Sequence, residues 1–325
     1  MDVKKLSAGD KIVIALLALL VLFRLAVMLA ENSVYSPGPL PNSAALVIPE
    51  GDSVAVMEVL RRNGAIDHPG VFLAAAYFTR GQGPLHAAEL FFPAHASIAD
   101  ILGILRYGAP VQHHVTIPEG LTGTEIAKIL NAAPAASGSV PAPAEGSVLP
   151  QTYDFTLGTK REAILQRAQK AMQTGLDTAW AQRAPAVPLQ SEQQALILAS
   201  IVQQETPLPA ELPQIAAVYE NRLAIGMKLQ ADPTVIYAAS NGATSGGQPI
   251  SHADLANPSA YNTYAHTGLP PGPICAPGLA AIQAVLHPAP VKAIYFVATG
   301  NGGHVFADDF AAQLRNIAAY RDAKK

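Results

Sequence analysis

The 325-residue sequence predicts an α+β fold behind a single N-terminal membrane helix, on three observations. A long apolar run opens the chain. A strand–turn–helix pattern then recurs three times between residues 44 and 131. From residue 148 onward, segments of helical periodicity alternate with short runs of β-branched and aromatic residues. The length suits roughly two domains beyond the membrane helix.

Ile12 to Ala30 is interrupted only by Arg24, and it is long enough to cross a hydrocarbon core about 30 Å thick. Arg24 lies towards one end, where its side chain can snorkel to the interface. Lys4, Lys5 and Lys11 precede the run and Glu31 follows it. The positive-inside rule therefore leaves residues 1–11 as a cytoplasmic tail and exports everything after residue 30. A cleaved signal peptide is the competing reading. The run is long for such a peptide and lacks a convincing small-residue cleavage site, so a retained anchor over 12–30 is expected.

Residues 31–43 (ENSVYSPGPLPNS) read as a short Pro-rich stalk. In the next region, Ile48-Pro49-Glu50-Gly51 leads into a helical pattern from Asp52 to Leu60. Ile117-Pro118-Glu119-Gly120 leads likewise into Thr122 to Leu130. Leu90-Phe91-Phe92-Pro93 precedes Ser97 to Leu105 in the same way. Each piece is a strand, a Pro-containing turn and a polar residue fit to cap a helix. Asn63-Gly64 closes the first helix with residues that tolerate positive φ. Residues 44–131 thus form one small α+β domain. Residues 132–147 (AAPAASGSVPAPAEGS) lack periodicity and read as a linker or loop.

The second domain spans 148–325. Arg161 to Thr174 is helical, and Ser191 with Gln194 forms a capping box for a helix ending at Glu205. Another helix runs from about Leu212 to Ile225, closed by Gly226. Val235-Ile236-Tyr237 and Ile294 to Val297 read as β, Gly278 to Leu286 as helix, and Phe310 to Arg321 as a final amphipathic helix.

Composition removes several function classes. The net charge of -3 offers no basic face for a nucleic-acid partner. Nine histidines are scattered without HExxH or CxxC spacing, and adjacent His113 and His114 in a strand pattern would point to opposite faces; neither a metal nor a cofactor is expected. No GxSxG elbow, phosphate loop or dinucleotide fingerprint is present. Cys275 is the only cysteine, so no intramolecular disulfide can form. Its Pro-flanked surroundings suggest no base to activate it, which favours a small buried thiol over a cysteine-peptidase nucleophile.

One carboxylate stands apart. Leu198, Ile201, Val202 and Glu205 share a helical face. Pro207 and Pro209 stop that helix, which leaves Glu205 in the last turn beside unpaired carbonyls and the negative dipole end. Burial and the dipole both disfavour ionisation, so such an acid can hold its proton near neutral pH. The spacing alone leaves a surface Glu in a fraying turn open. Asn221, Arg222, Gln230, Asp232, Thr234, Tyr261, Asn262 and Tyr264 could read sugar hydroxyl and acetamido groups. Each also has a plain structural reading: a helix end for Asn221-Arg222, a turn for Asp232-Pro233-Thr234. Leu269-Pro270-Pro271-Gly272-Pro273 is either a rigid cleft wall or a structural bend.

At these residues the chain resembles the endolytic murein transglycosylases, the MltG/YceG-like family. The resemblance rests on Leu198 to Val202 with Glu205, Asn221-Arg222-Leu223, Gly226-Met227, Leu229-Gln230, Asp232 to Tyr237, Tyr261-Asn262-Thr263-Tyr264, Gly268 to Ile274, Pro277-Gly278 and Tyr295-Phe296-Val297, all in order. Leu149-Pro150 with Thr152-Tyr153, and Thr116 to Leu121, resemble it too. Family members often carry a second glutamate where Gln203 stands, which leaves Glu205 as the candidate acid. Gln151 stands where an acidic residue is frequent, Cys275 replaces a small residue, and the segment before Asn316 diverges.

The resemblance implies a LysM-like domain over 44–131 and a catalytic YceG-like domain over 148–325. It also implies lyase-type cleavage of peptidoglycan to 1,6-anhydro-muramic ends by one Glu, next to wall synthases at the bacterial inner membrane. A non-catalytic peptidoglycan-binding scaffold for those synthases is the alternative.

Overall fold

The computed structural model describes residues 8–300 and 302–323. The chain divides into two compact units, 1–112 and 113–325.

The first unit contains α1 (Ala8–Tyr35), β1 (Ala44–Val47), α2 (Ser53–Arg62), α3 (Pro69–Phe78), β2 (Glu89–Phe92) and α4 (Ile98–Tyr107). β1 and β2 pair antiparallel, with Ala44 opposite Phe92 and Leu46 opposite Leu90. Both expected caps form. The Asp52 carboxylate accepts from Val54 and Ala55 N–H at 3.0 Å, and Ser97 and Asp100 satisfy each other's backbone donors at the start of α4. Leu46, Ile48, Val56, Leu60, Phe72, Phe92 and Ile101 meet in the core. Helix α3, opened by Pro69, has no counterpart in the sequence reading.

Helix α1 contains the apolar run, none of it buried, and is long and apolar enough to cross a membrane. Lys4 and Lys5 of the expected tail lie outside the described residues. The expected stalk over 31–43 differs from what forms. The helix continues to Tyr35 and packs on α3 and α4. Beyond it, the Gly38 N–H donates to the His95 carbonyl and the His95 N–H to the Leu40 carbonyl. Leu40 is buried. A Cβ at Gly38 would lie 2.1 Å from the Ala96 carbonyl oxygen, so only glycine lets the two backbones approach. Prolines here shape a packed connection instead of a free tether.

The second unit takes up the third strand–turn–helix piece, so the first compact unit ends at 112 and not at 131. β3 (Gln112–Thr116) pairs with β4 (Thr152–Thr156). α5 (Gly123–Ala132), capped by the reciprocal Thr122–Glu125 box, shares a core with the strands through Val115, Ile117, Ile126, Tyr153 and Phe155. Pairing with a downstream strand decides the allegiance of this piece. Residues 132–147 are a loop packed into the same unit. The Asn131 side chain bonds both backbone groups of Val140, and Ala133, Ala136 and Val140 are buried.

α6 (Arg161–Ala181), α7 (Glu192–Glu205) and α8 (Leu212–Ala224) follow, then α9 (Asp232–Ala239), α10 (His252–Leu255), α11 (Leu279–Leu286), the antiparallel hairpin of β5 (Tyr295–Ala298) and β6 (His304–Ala307), and α12 (Phe310–Ala323). α7 runs through the main core, flanked by α6, α8 and α11, with Ala195, Leu198, Ile201 and Val202 inaccessible to solvent. Ser191 caps it by accepting from Gln194 N–H, but the expected capping box does not close: the Gln194 side-chain oxygen accepts from the N–H of Gln190, one residue before the cap. Val235-Ile236-Tyr237 is helical and not the expected strand. Asp232 and Pro233 open a helix, and burial of Val235 and Ala238 on one face outweighs β-branched propensity.

Candidate active site

The site is built where α7 ends. The chain turns extended at Thr206, leaving Glu205 in the last helical turn. α8 then folds back beside α7 and brings Tyr219 to it. The Tyr219 hydroxyl donates to Glu205 Oε1 at 2.5 Å. Tyr219 is 1% exposed, on the buried stripe of α8 that also holds Leu212, Ile215 and Ala216, and its ring meets Phe296 edge-on at 5.9 Å. Glu205 keeps some contact with solvent. Burial pushes its carboxyl up to about 7, with the Asp232 charge adding to the rise and Tyr219 and Arg222 opposing it. Burial also holds the Tyr219 hydroxyl well above its ordinary range, so it stays a neutral donor.

Asp232 begins α9 and is exposed, and its Oδ1 accepts from the Tyr264 hydroxyl at 2.6 Å. Arg222 is 7% exposed; its guanidinium donates to the carbonyls of Ile294 and Leu229 and lies over the Tyr295 ring. Glu205, Tyr219, Arg222, Asp232 and Tyr264 thus act electrically on one another.

The structure employs the other candidates differently. The Asn221 amide donates to the carbonyls of Val291 and Ala293, both at 3.0 Å, and ties α8 to the approach to β5. Thr234 bonds the Ala231 carbonyl and Thr263. Asn262 is inaccessible, its amide donating to Leu255 and Asn257 carbonyls and its oxygen accepting from Tyr264 N–H. These three polar side chains hold loops in place. Gln230 is exposed at a positive φ of 49°. Tyr261 belongs to a neighbouring group with Tyr237, ring centres 4.8 Å apart, and Glu145. Burial pushes Glu145 up to about 7 while its carboxylate accepts the Gly123 N–H at 2.9 Å.

The segment after the Pro-rich loop runs along α7. Ile274 N–H donates to Ser200 Oγ, and the Cys275 thiol to the Ser200 carbonyl. Cys275 is buried, which pushes its thiol up and away from nucleophilic chemistry. Gly268, Leu269 and Pro270 line a hollow of about 540 Å³ with Gln194, Ile197 and Leu223, beside the opposite half of α7 from Glu205. Gln203 explains its own departure from a second glutamate. Its amide nitrogen donates to Glu119 at 3.1 Å while its oxygen accepts Gly278 N–H, a pairing a carboxylate could not make with Glu119.

The sequence reading missed Tyr219 and His304. A tyrosine on an otherwise apolar helix stripe must satisfy a buried hydroxyl, which was the available signal. His304 bonds Glu211 through its ring and its backbone N–H, and Glu211 also accepts from Thr206, the residue after Glu205. Burial would raise Glu211, but these hydrogen bonds outweigh it and hold the carboxyl below its ordinary value. The hairpin is thereby pinned to the end of α7.

A family model described as the YceG-like family matches residues 46–319. The chain belongs to the YceG-like family. An endolytic murein transglycosylase of Bacillus subtilis (strain 168) is 36% identical over 165 residues, which is 50% of this chain and 44% of that protein. One from Streptococcus pneumoniae serotype 2 is 26% identical over 331 residues, 85% of this chain and 58% of that protein. The alignments therefore span about half the length of these YceG-like relatives. A 2.6 Å crystal structure of a YceG-like protein from Listeria monocytogenes shares the fold with a TM-score of 0.54 and 23% identity, over 84% of this chain and 98% of that one.

Proposed function

We propose that this chain is a membrane-anchored lytic transglycosylase that cuts within nascent peptidoglycan strands, with Glu205 as general acid and base. The observation that carries the reading is the Glu205 carboxyl, half-buried at the end of α7, pushed up to about 7 by loss of solvent and held through one oxygen by Tyr219. An acid poised near the working pH both gives and retakes a proton readily.

Glu205 donates its proton to the glycosidic oxygen between N-acetylmuramic acid and N-acetylglucosamine, and the bond from that oxygen to the muramoyl C1 breaks. The C6 hydroxyl oxygen of the same muramoyl unit closes on C1 and returns its proton to Glu205. The products are a 1,6-anhydro end and a free N-acetylglucosamine hydroxyl. No water enters, and tethering of the C6 hydroxyl supplies the proximity advantage. Asp232, oriented by Tyr264, supplies negative potential for the oxocarbenium-like charge at C1.

The names of the relatives support murein as substrate. The apolar α1 supports a single-pass anchor in the inner membrane, and the lysines before it support a cytoplasmic N-terminus. That placement puts the enzyme where new strands emerge, with wall synthases as neighbours. The capped strand–turn–helix pieces support a LysM-like first unit that positions glycan.

The test is to incubate the full-length protein in detergent with purified sacculi and with nascent glycan and analyse products by mass spectrometry. Anhydro ends are expected, and Glu205→Gln should remove them while leaving the fold intact. Activity near that of the unmodified protein in Glu205→Gln would sink the reading. Glycan binding without fragment release by the unmodified protein would make it a scaffold.

A further inference from the structure

We infer that Tyr219 fixes the catalytic proton on Oε2 of Glu205, and so decides which carboxyl oxygen meets the glycosidic bond. The inference rests on Glu205 being the acid. The Tyr219 hydroxyl has one hydrogen and is buried, and its only hydrogen-bond partner among the described residues is Glu205 Oε1 at 2.5 Å. If it accepted from Glu205, its own hydrogen would be left without an acceptor, at a cost of about 1–3 kcal/mol for a buried donor. It therefore donates. A carboxylic acid accepts far better through its carbonyl oxygen than through its hydroxyl, so Oε1 is the carbonyl and the acid proton sits on Oε2.

The phenol cannot swing away. Its ring is held edge-on by Phe296, which is itself backed by His304 at 5.3 Å and by Phe306. The remaining groups acting on the Glu205 charge are Arg222 on α8, Asp232 on α9 and, with it, Tyr264. α6 and α11, the other helices packed on α7, bring none. During turnover the Oε2 proton passes to the leaving sugar oxygen and the C6 hydroxyl proton returns to Oε2. Tyr219 keeps its own hydrogen on Oε1 throughout. It is a positioning residue.

The test is pH-dependent infrared difference spectroscopy on the full-length protein in detergent, joined to the pH profile of kcat. The carbonyl band of protonated Glu205 is identified by its loss in Glu205→Gln. In Tyr219→Phe that band should move to higher wavenumber, because its hydrogen bond is gone. The alkaline limb of kcat should move to higher pH, because the ionised form has lost a donor. Incorporation of 3-fluorotyrosine at position 219 keeps the shape and strengthens the donor, so both readouts should move the opposite way. A band and limb unmoved by both replacements would overturn the inference. An active Glu205→Gln variant would instead sink the acid role, while the band would still report where the proton sits.

Discussion

Glu220 offers the sharpest test of how burial governs charge in this fold. It lies on α8 next to Tyr219, is 5% exposed, and its Oε1 has no hydrogen-bond partner among the described residues. Desolvation alone pushes its carboxyl from the usual 4.5 up to about 8. The folded state thus binds this proton more tightly than the unfolded chain does. The stabilisation is fully present below about pH 4.5 and is lost as pH rises through about 8. At ~1.4 kcal/mol per unit the ceiling is about 5 kcal/mol, and local relaxation around an ionised carboxylate brings the expected effect to about 2–3 kcal/mol. Glu220→Gln removes the titration. Thermal unfolding of both proteins in detergent between pH 5 and pH 9.5 should give similar midpoints at the acid end. At the alkaline end the variant should be the more stable by several degrees. Parallel curves across the whole range would refute the reasoning, since a carboxyl that ionises freely in the fold produces no such divergence.

Asp232→Asn removes a negative neighbour that raises Glu205. The alkaline limb of kcat for the proposed cleavage, expected near pH 7 in the unmodified protein, should therefore move to lower pH, opposite to Tyr219→Phe; an unmoved pH–rate profile would separate Asp232 from the acid. Asn221→Ala breaks two hydrogen bonds at 3.0 Å to the backbone before β5. It should cost about 2 kcal/mol in thermal unfolding with little change in KM for glycan, and a raised KM with unchanged stability would restore Asn221 as a sugar ligand.

Features set within a few residues of one another are legible in the sequence. The caps at Asp52, Ser97, Thr122 and Ser191 form where expected, because a capping oxygen and its N–H targets are neighbours along the chain. The place of Glu205 at the end of an apolar helical stripe is legible for a related reason, since helical period and the prolines after it are local; its pairing with Tyr219 is not, and spacing alone leaves a surface carboxylate open. What depends on distant partners is not legible. β3 and α5 join the second unit because β4 lies downstream, and an Ala- and Pro-rich segment becomes a packed loop because Asn131 and Gly123 satisfy its polar atoms. Asn221, Thr234 and Asn262 illustrate the same limit. A polar side chain in a motif looks equally suited to holding sugar or holding backbone, and only the fold shows where its hydrogen bonds go.

Helix α1 carries one more implication. At 1.5 Å per residue, the stretch from Ile12 to Ala30 is about 28 Å long, and the helix continues only about 8 Å further before Tyr35. Because that end is locked onto α3 and α4, the first unit has no leash. With the apolar stretch in a bilayer, its base stands within lipid-headgroup reach, and any tilt of the span turns the whole unit with it like a mast turning a sail.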